Sequence, residues 1–231
     1  MVNEKKMDTS VIIMDFTKVY RNQVFYSKSQ HHLIDCTDIQ GSDCYCDHEA
    51  IETIRNKIAD LPVKALHFID SGNHHYITKF WTDRIQEDFI LAVADHHPDM
   101  QPALFDDILS CGGWVRTVLD TNPYLKAVLF IGVAPEYELP CDKYRILRHS
   151  EEIPSALPVY ISIDKDVLGP EVVTTNWDQG IMTYNQLQRV LKEIMTRHRI
   201  LGVDICGECP TCIDNRSDRV NGRLLKLFSC I

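Results

Sequence analysis

Phe89-Ile90-Leu91-Ala92-Val93-Ala94-Asp95-His96-His97-Pro98-Asp99 decides the reading of this chain. An apolar run of strand length without polar alternation describes a strand buried on both faces of a parallel sheet. Sheets of that kind carry their chemistry at the C-terminal edge, and Asp95-x-His97-x-Asp99 places three ligand-type side chains there. The stretch reads as half of a metal site.

Its surroundings are bounded by composition. With 231 residues, 45% hydrophobic and 25% charged, the chain can bury a full core, and a single domain spanning residues 1–231 is expected. The formal net charge of -9, spread along the chain, argues against a nucleic-acid or anionic-membrane partner and is compatible with a cationic substrate. No run of eighteen apolar residues occurs, and Met1-Val2-Asn3-Glu4-Lys5-Lys6 lacks the apolar segment of a secretory signal. A cytoplasmic location is therefore expected. Nine cysteines, an odd count in such a setting, suggest free thiols or metal ligation rather than a disulfide framework.

Moving outward, two further stretches repeat the pattern of the first. Val63 to Asp70 reads as a strand running into Ser71-Gly72-Asn73-His74-His75-Tyr76, where imidazoles either meet at the sheet edge or cap a helix and face solvent. Pro158-Val159-Tyr160-Ile161-Ser162-Ile163-Asp164-Lys165-Asp166 is a β-branched run whose alternation puts Ser162, Asp164 and Asp166 on one side. Two carboxylates on one face repel unless a cation neutralises them.

The remaining elements supply the frame. Strands are expected at Ser10 to Phe16, Tyr124 to Val133, Tyr144 to Leu147 and Ile200 to Cys206. Arg21 to Asp47, with His31, His32, Cys36, Cys44 and Cys46, reads as a loop. Ile51, Ile54, Ile58 and Leu61 mark one helical face between Glu49 and Leu61, Thr183 sits as N-cap of a helix from Tyr184 to His198, and a last helix spans Arg219 to Phe228. Strands alternating with helices describe a three-layer α/β fold, a mostly parallel sheet with helices on both faces.

Together the strand ends supply His74, Asp95, His97, Asp99, Asp164 and Asp166. Two imidazoles and four carboxylates are too hard a set for a thiolate zinc site, and suit two divalent ions of the manganese class, Mn2+ being the expected cofactor.

The motifs Ser71-Gly72-Asn73-His74-His75, Asp95-His96-His97-Pro98-Asp99 and Ser162-Ile163-Asp164-Lys165-Asp166-Val167-Leu168-Gly169-Pro170 resemble, in order and spacing, those of the ureohydrolases, the arginase and agmatinase family. The resemblance covers about Val63 to Pro210 and implies an arginase/deacetylase-like fold. It also implies that Asp95 and Asp164 bridge two Mn2+ ions, that His74 and Asp99 complete one, and that His97 and Asp166 complete the other. The implied reaction is attack of a metal-bridging hydroxide on the guanidinium carbon of an arginine-like substrate, free or peptidyl, releasing urea. Asp99 would pass the proton, His75 would donate to substrate or support the ligands, and Glu208 would hold the guanidinium, although Gly207 falls nearer the family's register. Expected partners are a small-molecule or peptide guanidino substrate, no nucleic acid and no membrane, with a homo-oligomer among the admissible assemblies.

The chain also departs from the family. It is shorter than a typical member, Asn73 stands where an acidic residue is usual, Gly169 replaces an Asp, and Met100 to Arg148 contains no histidine. These departures resemble the divergent peptide arginases most. Alternatives are a deacetylase-like or formimino-group hydrolase on the same scaffold, or a catalytically silent metal-stabilised binding protein. Cys206-x-x-Cys209-x-x-Cys212 lacks an evident fourth ligand and is expected to supply substrate-loop or buried structural thiols.

Overall fold

Ten strands and five helices are found in the computed structural model, which describes residues 10–103, 108–212 and 215–229. The opening segment Met1 to Lys6 lies outside the described residues. The first β-branched run forms β1 (Val11–Asp15), buried throughout. Parallel to it lies β2 (His31–Asp35), inside the region read as a loop; its side chains are mostly exposed, so it carries no hydrophobic signature. Short β3 (Tyr45–Cys46) precedes α1 (His48–Ile58), whose N-cap Asp47 accepts from the Ala50 amide while Ala50, Ile54 and Ile58 face the core.

Next come β4 (Leu66–Phe68), α2 (Ile77–Thr82) and β5 (Phe89–Ala94), all six residues of β5 being buried. Then follow β6 (Leu109–Ser110), α3 (Trp114–Thr121), β7 (Leu125–Ile131) and β8 (Ile146–Leu147). The chain closes with β9 (Val159–Asp164), α4 (Tyr184–Arg197) under a Thr183–Gln186 capping box, β10 (Ile200–Cys206) and α5 (Arg216–Leu227).

Eight strands form one parallel sheet in the order β2-β1-β4-β10-β9-β5-β7-β8, and β3 pairs antiparallel with β6 beside it. Alternation along β5 sends Ile90, Ala92 and Ala94 to the face covered by Leu187, Leu191, Val220 and Leu224 of α4 and α5. Phe89, Leu91 and Val93 go to the face covered by Ile54, Trp81 and Val115 of α1, α2 and α3. The expected three layers are thus present, and the three motif-bearing strands, with β10, occupy the middle of the sheet. Among the described residues no helix is long and apolar enough to cross a membrane.

One buried ion pair ties the central strand ends together. Lys165, fully buried directly after β9, donates its ammonium to Glu208 after β10, to Ser217 Oγ at 2.6 Å and to Asn221 Oδ1 at 3.0 Å on α5. Burial pushes Glu208 up, but the Lys165 charge and the Asn221, Lys165 and Ser217 hydrogen bonds outweigh it and hold the carboxyl below its ordinary value. A depressed folded-state value means that this stabilisation is complete above about pH 4.5 and is lost as pH falls further. Removing one partner of such a pair strands a buried charge, so Lys165→Met is expected to lower stability by about 3–5 kcal/mol at pH 7. Urea melts read this directly; an unchanged midpoint would show that the pair does not secure the strand ends.

Candidate metal centre

The cluster begins where β5 stops. Asp95 Oδ1 accepts from the His97 amide at 2.6 Å, and Asp99, at φ 49°, turns the chain back so that its Oδ2 accepts from Trp114 Nε1 at 2.7 Å. At the end of β9, Asp164 Oδ1 accepts from the Asp166 amide at 2.9 Å, and Asp166 Oδ1 accepts from the His96 amide at 3.0 Å. All four carboxylates are buried. His97 Nδ1 lies 2.9 Å from Asp166 Oδ2 and 3.5 Å from Asp95 Oδ1.

The first motif contributes His75, and it does not contribute His74. His75 Nδ1 stands 3.0 Å from Asp95 Oδ2, 3.2 Å from Asp99 Oδ2 and 3.8 Å from Asp164 Oδ2. Its Nε2 is 2.8 Å from Ser162 Oγ, which Thr78 Oγ1 also meets at 3.0 Å. His74 instead stacks on Phe16 at 4.0 Å between ring centroids, and burial pulls it down to about 4, so that it is neutral. The reason is local. Gly72–His74 is a 3-10 turn leading into α2, and adjacent residues of such a turn point about 120° apart. His75 shares its phase with Thr78 three residues on, and both reach Ser162 on β9. The turn itself is anchored by Asp70, whose carboxylate accepts from the Phe16, Thr17 and Ser71 amides and from the Thr17 hydroxyl.

Glu208 is likewise placed elsewhere than expected. Its carboxylate is turned into the Lys165, Ser217, Asn221 and Gln23 network, away from the carboxylate cluster. Gly207, beside it, has φ 86°, and a Cβ there would lie 2.4 Å from Asp164 Oδ1. A Cβ on Gly72 would come within 2.8 Å of Asp164 Oδ2, so two glycine backbones clasp this one carboxylate. The cysteine expectation also needs correction: Cys209 and Cys212 are joined as a disulfide, while Cys206 is a free, buried thiol donating to Asp164 Oδ2 at 3.1 Å.

The arrangement fits cations. Burial, followed by the charge of Asp166, pushes Asp164 up to about 6; burial, followed by the charge of Asp95, pushes Asp166 up to about 7. His97 is raised to about 11 by its hydrogen bonds to Asp166 and Asp95. These shifts express one need, positive charge among crowded carboxylates. The buried His75 Nδ1 has no well-aligned hydrogen bond, yet carboxylate oxygens of Asp95, Asp99 and Asp164 stand within 3.8 Å of it, a position suited to sharing a cation with them. Two groups, His75 with Asp95 and Asp99 and Asp95 with His97 and Asp166, share Asp95 through different oxygens. That is the disposition of a bridging carboxylate between two ions.

A cavity of about 440 Å³ opens over the cluster. Its wall comes partly from Tyr45 and Ser110 of the β3–β6 pair and from Cys44 and Cys111 beside them, its rim from Tyr137, Glu138 and Trp177. His97 meets Tyr137 and Trp177 edge-on at 5.9 and 6.1 Å. Asn73 joins the rim loops, accepting from Trp177 Nε1 at 2.8 Å and donating to Asp43 Oδ1 at 2.7 Å. Trp114 carries no sequence motif, whereas Ser162 and Cys206 stand inside motifs that gave them no definite role: Ser162 supports His75, and Cys206 meets Asp164.

Two substitutions separate the adjacent histidines. His75→Ala is expected to weaken divalent-metal binding by at least about tenfold, whereas His74→Ala leaves stoichiometry and affinity unchanged and affects only melting. Isothermal titration with manganese distinguishes them; equal binding by both variants, or loss only in His74→Ala, would contradict the placement.

No protein-family model matches the chain. An uncharacterized protein of Thermotoga maritima is 32% identical over 204 residues, covering 85% of this chain and 78% of that protein. Among solved structures, the Entamoeba histolytica arginase in complex with L-ornithine superposes with a TM-score of 0.69 at 11% identity, covering 98% of this chain and 100% of that one. The Trypanosoma cruzi formiminoglutamase with Mn2+ gives 0.68 at 15% identity over 99% and 95% of the two chains. Proclavaminate amidino hydrolase from Streptomyces clavuligerus gives 0.67 at 15% identity over 96% and 90%. The chain thus belongs to one family with the Thermotoga maritima protein, and the fold on which its buried carboxylate cluster is assembled is that of the ureohydrolases.

Proposed function

We propose that the chain is a metal-dependent hydrolase of amidine-type C–N bonds, acting on a cationic guanidino substrate and releasing urea. The observation that carries this reading is the buried His75 Nδ1 set within 3.8 Å of Asp95, Asp99 and Asp164, three carboxylates that line an acidic pocket. Arginase, formiminoglutamase and amidino hydrolase neighbours of the same fold support it. Asp95, Asp99 and His75 would hold one divalent ion and Asp95, His97 and Asp166 the other, with Asp164 between Cys206 and His75. Such ions, of the manganese class, supply an acidified water and charge stabilisation at the reacting carbon.

The chain's own groups do the rest. Trp114 fixes Asp99 Oδ2, which leaves the other oxygen of that carboxylate to take a proton at the reacting centre and return it to the leaving nitrogen. The pocket lining contains Glu138 and, among the described residues, no lysine or arginine. A guanidinium is therefore drawn in, while a free carboxylate at the far end of the substrate meets no cation. Tyr45, Tyr137 and Trp177, each between 40 and 47% exposed, offer aromatic faces to a cationic or peptide-borne group. A guanidino compound without a free carboxylate, or an arginine inside a peptide, fits this lining better than free arginine.

A second reading has its own observation. With Glu208 turned into the Lys165 pair and Gly207 beside Asp164, the end of β10 offers no acidic clamp, which suits a formimino or other linear amide. Manganese-loaded protein incubated with arginine, arginine amide, agmatine, an arginine-containing peptide and a formimino amino acid decides between them. Urea from the compounds lacking a free carboxylate is expected, with the rate falling by about 10²-fold or more in Asp99→Asn. Release of formamide or ammonia alone would favour the second reading, and no product from any compound would refute both.

A further inference from the structure

We propose that Cys206 is an additional ligand of the cation held by His75, making that half of the centre selective for a thiophilic divalent ion such as zinc or cobalt(II). The inference rests on the two-cation reading above and deepens it. One imidazole nitrogen of His75, an Asp164 oxygen and Cys206 Sγ lie within 4.8 Å of one another, all three residues buried. Around Asp164 Oδ2 the spacings are 3.1 Å to the sulfur and 3.8 Å to the imidazole nitrogen. Ligand atoms bonded to one ion at about 2.0–2.3 Å stand about 3–4 Å apart, so these spacings need only small adjustment.

The sheet makes the placement a backbone property. Cys206 is the register partner of Asp164 across the β10–β9 pair, so the thiol arrives beside the carboxylate by strand pairing rather than by a loop excursion. Gly207 then turns away at φ 86°, Cys209 and Cys212 are joined to each other, and Cys206 is the thiol that donates to a cluster carboxylate. A second sign of a ligand here is His75 Nδ1, buried, aimed into the cluster and without an aligned hydrogen bond. Sulfur coordination would replace the S–H proton, which passes to solvent as the metal–sulfur bond forms. Thiolates discriminate among divalent ions by softness, whereas oxygen ligands suit manganese. A centre with one sulfur-bearing and one all-nitrogen-and-oxygen position would therefore take two different metals.

Cobalt(II) reports sulfur ligation optically. Wild-type protein loaded with cobalt(II) is expected to show a near-ultraviolet sulfur-to-cobalt charge-transfer band that Cys206→Ser lacks and Cys36→Ser keeps. In competition, Cys206→Ser should lower the zinc-over-manganese affinity ratio by about 10–100-fold. X-ray absorption on zinc-loaded wild type needs no variant and should show a sulfur scatterer at about 2.3 Å. Two cobalt ions bound without the band, or zinc without sulfur, would overturn the inference while leaving the two-cation reading intact. Failure to bind any divalent ion would overturn both.

Discussion

Four carboxylates with little solvent cannot all stay ionised in a space a few ångströms across without positive charge among them. This repulsion is the constraint from which the rest of the molecule follows. Asp95, Asp99, Asp164 and Asp166 each hold at least one backbone or indole hydrogen bond, which fixes their direction but does not remove their charge. Burial, together with a neighbouring carboxylate charge, raises Asp164 and Asp166 above their ordinary range, so the cluster favours bound protons or bound cations. Divalent ions held there would neutralise the carboxylates and acidify a bound water.

The fold bears this local cost in its best-secured region. Parallel strands buried on both faces end side by side in the middle of the sheet, and the site is assembled from β4, β10, β9 and β5. Lys165 and Glu208 clamp two of those ends from below, and Gly72 and Gly207 let backbone approach Asp164 more closely than any side chain would allow. Asp70 does the same service for the turn that delivers His75. The acidic residue that resemblance placed against the substrate is thus a structural partner, and the cavity over the cluster takes its acidity from Glu138 and the cluster itself.

Much of this was legible in the residues. The strands leading to Asp95 and Asp164 announced themselves because a run buried on both faces must be apolar throughout, and the ligands interrupt it abruptly. Strand β2 was not legible, since an edge strand paired on one side can expose His31, His32 and Leu33 without penalty. Choosing between His74 and His75 depended on the rotation of one 3-10 turn, a quantity that spacing along the chain does not express. Glu208 was misplaced for a similar reason: a carboxylate after a strand faces either the site or the helix layer, and Lys165 drew it to the latter. The Cys209–Cys212 link and the pairing of Cys206 with Asp164 are tertiary facts that counting cysteines does not reveal.

A crystal of the protein grown with manganese and zinc, with anomalous difference maps recorded at both absorption edges, tests the account most directly. The account predicts two metal peaks flanking Asp95, one contacted by His75 and Asp99 and the other by His97 and Asp166. A single peak, or a peak held by His74 with His75 outside the coordination sphere, would contradict it.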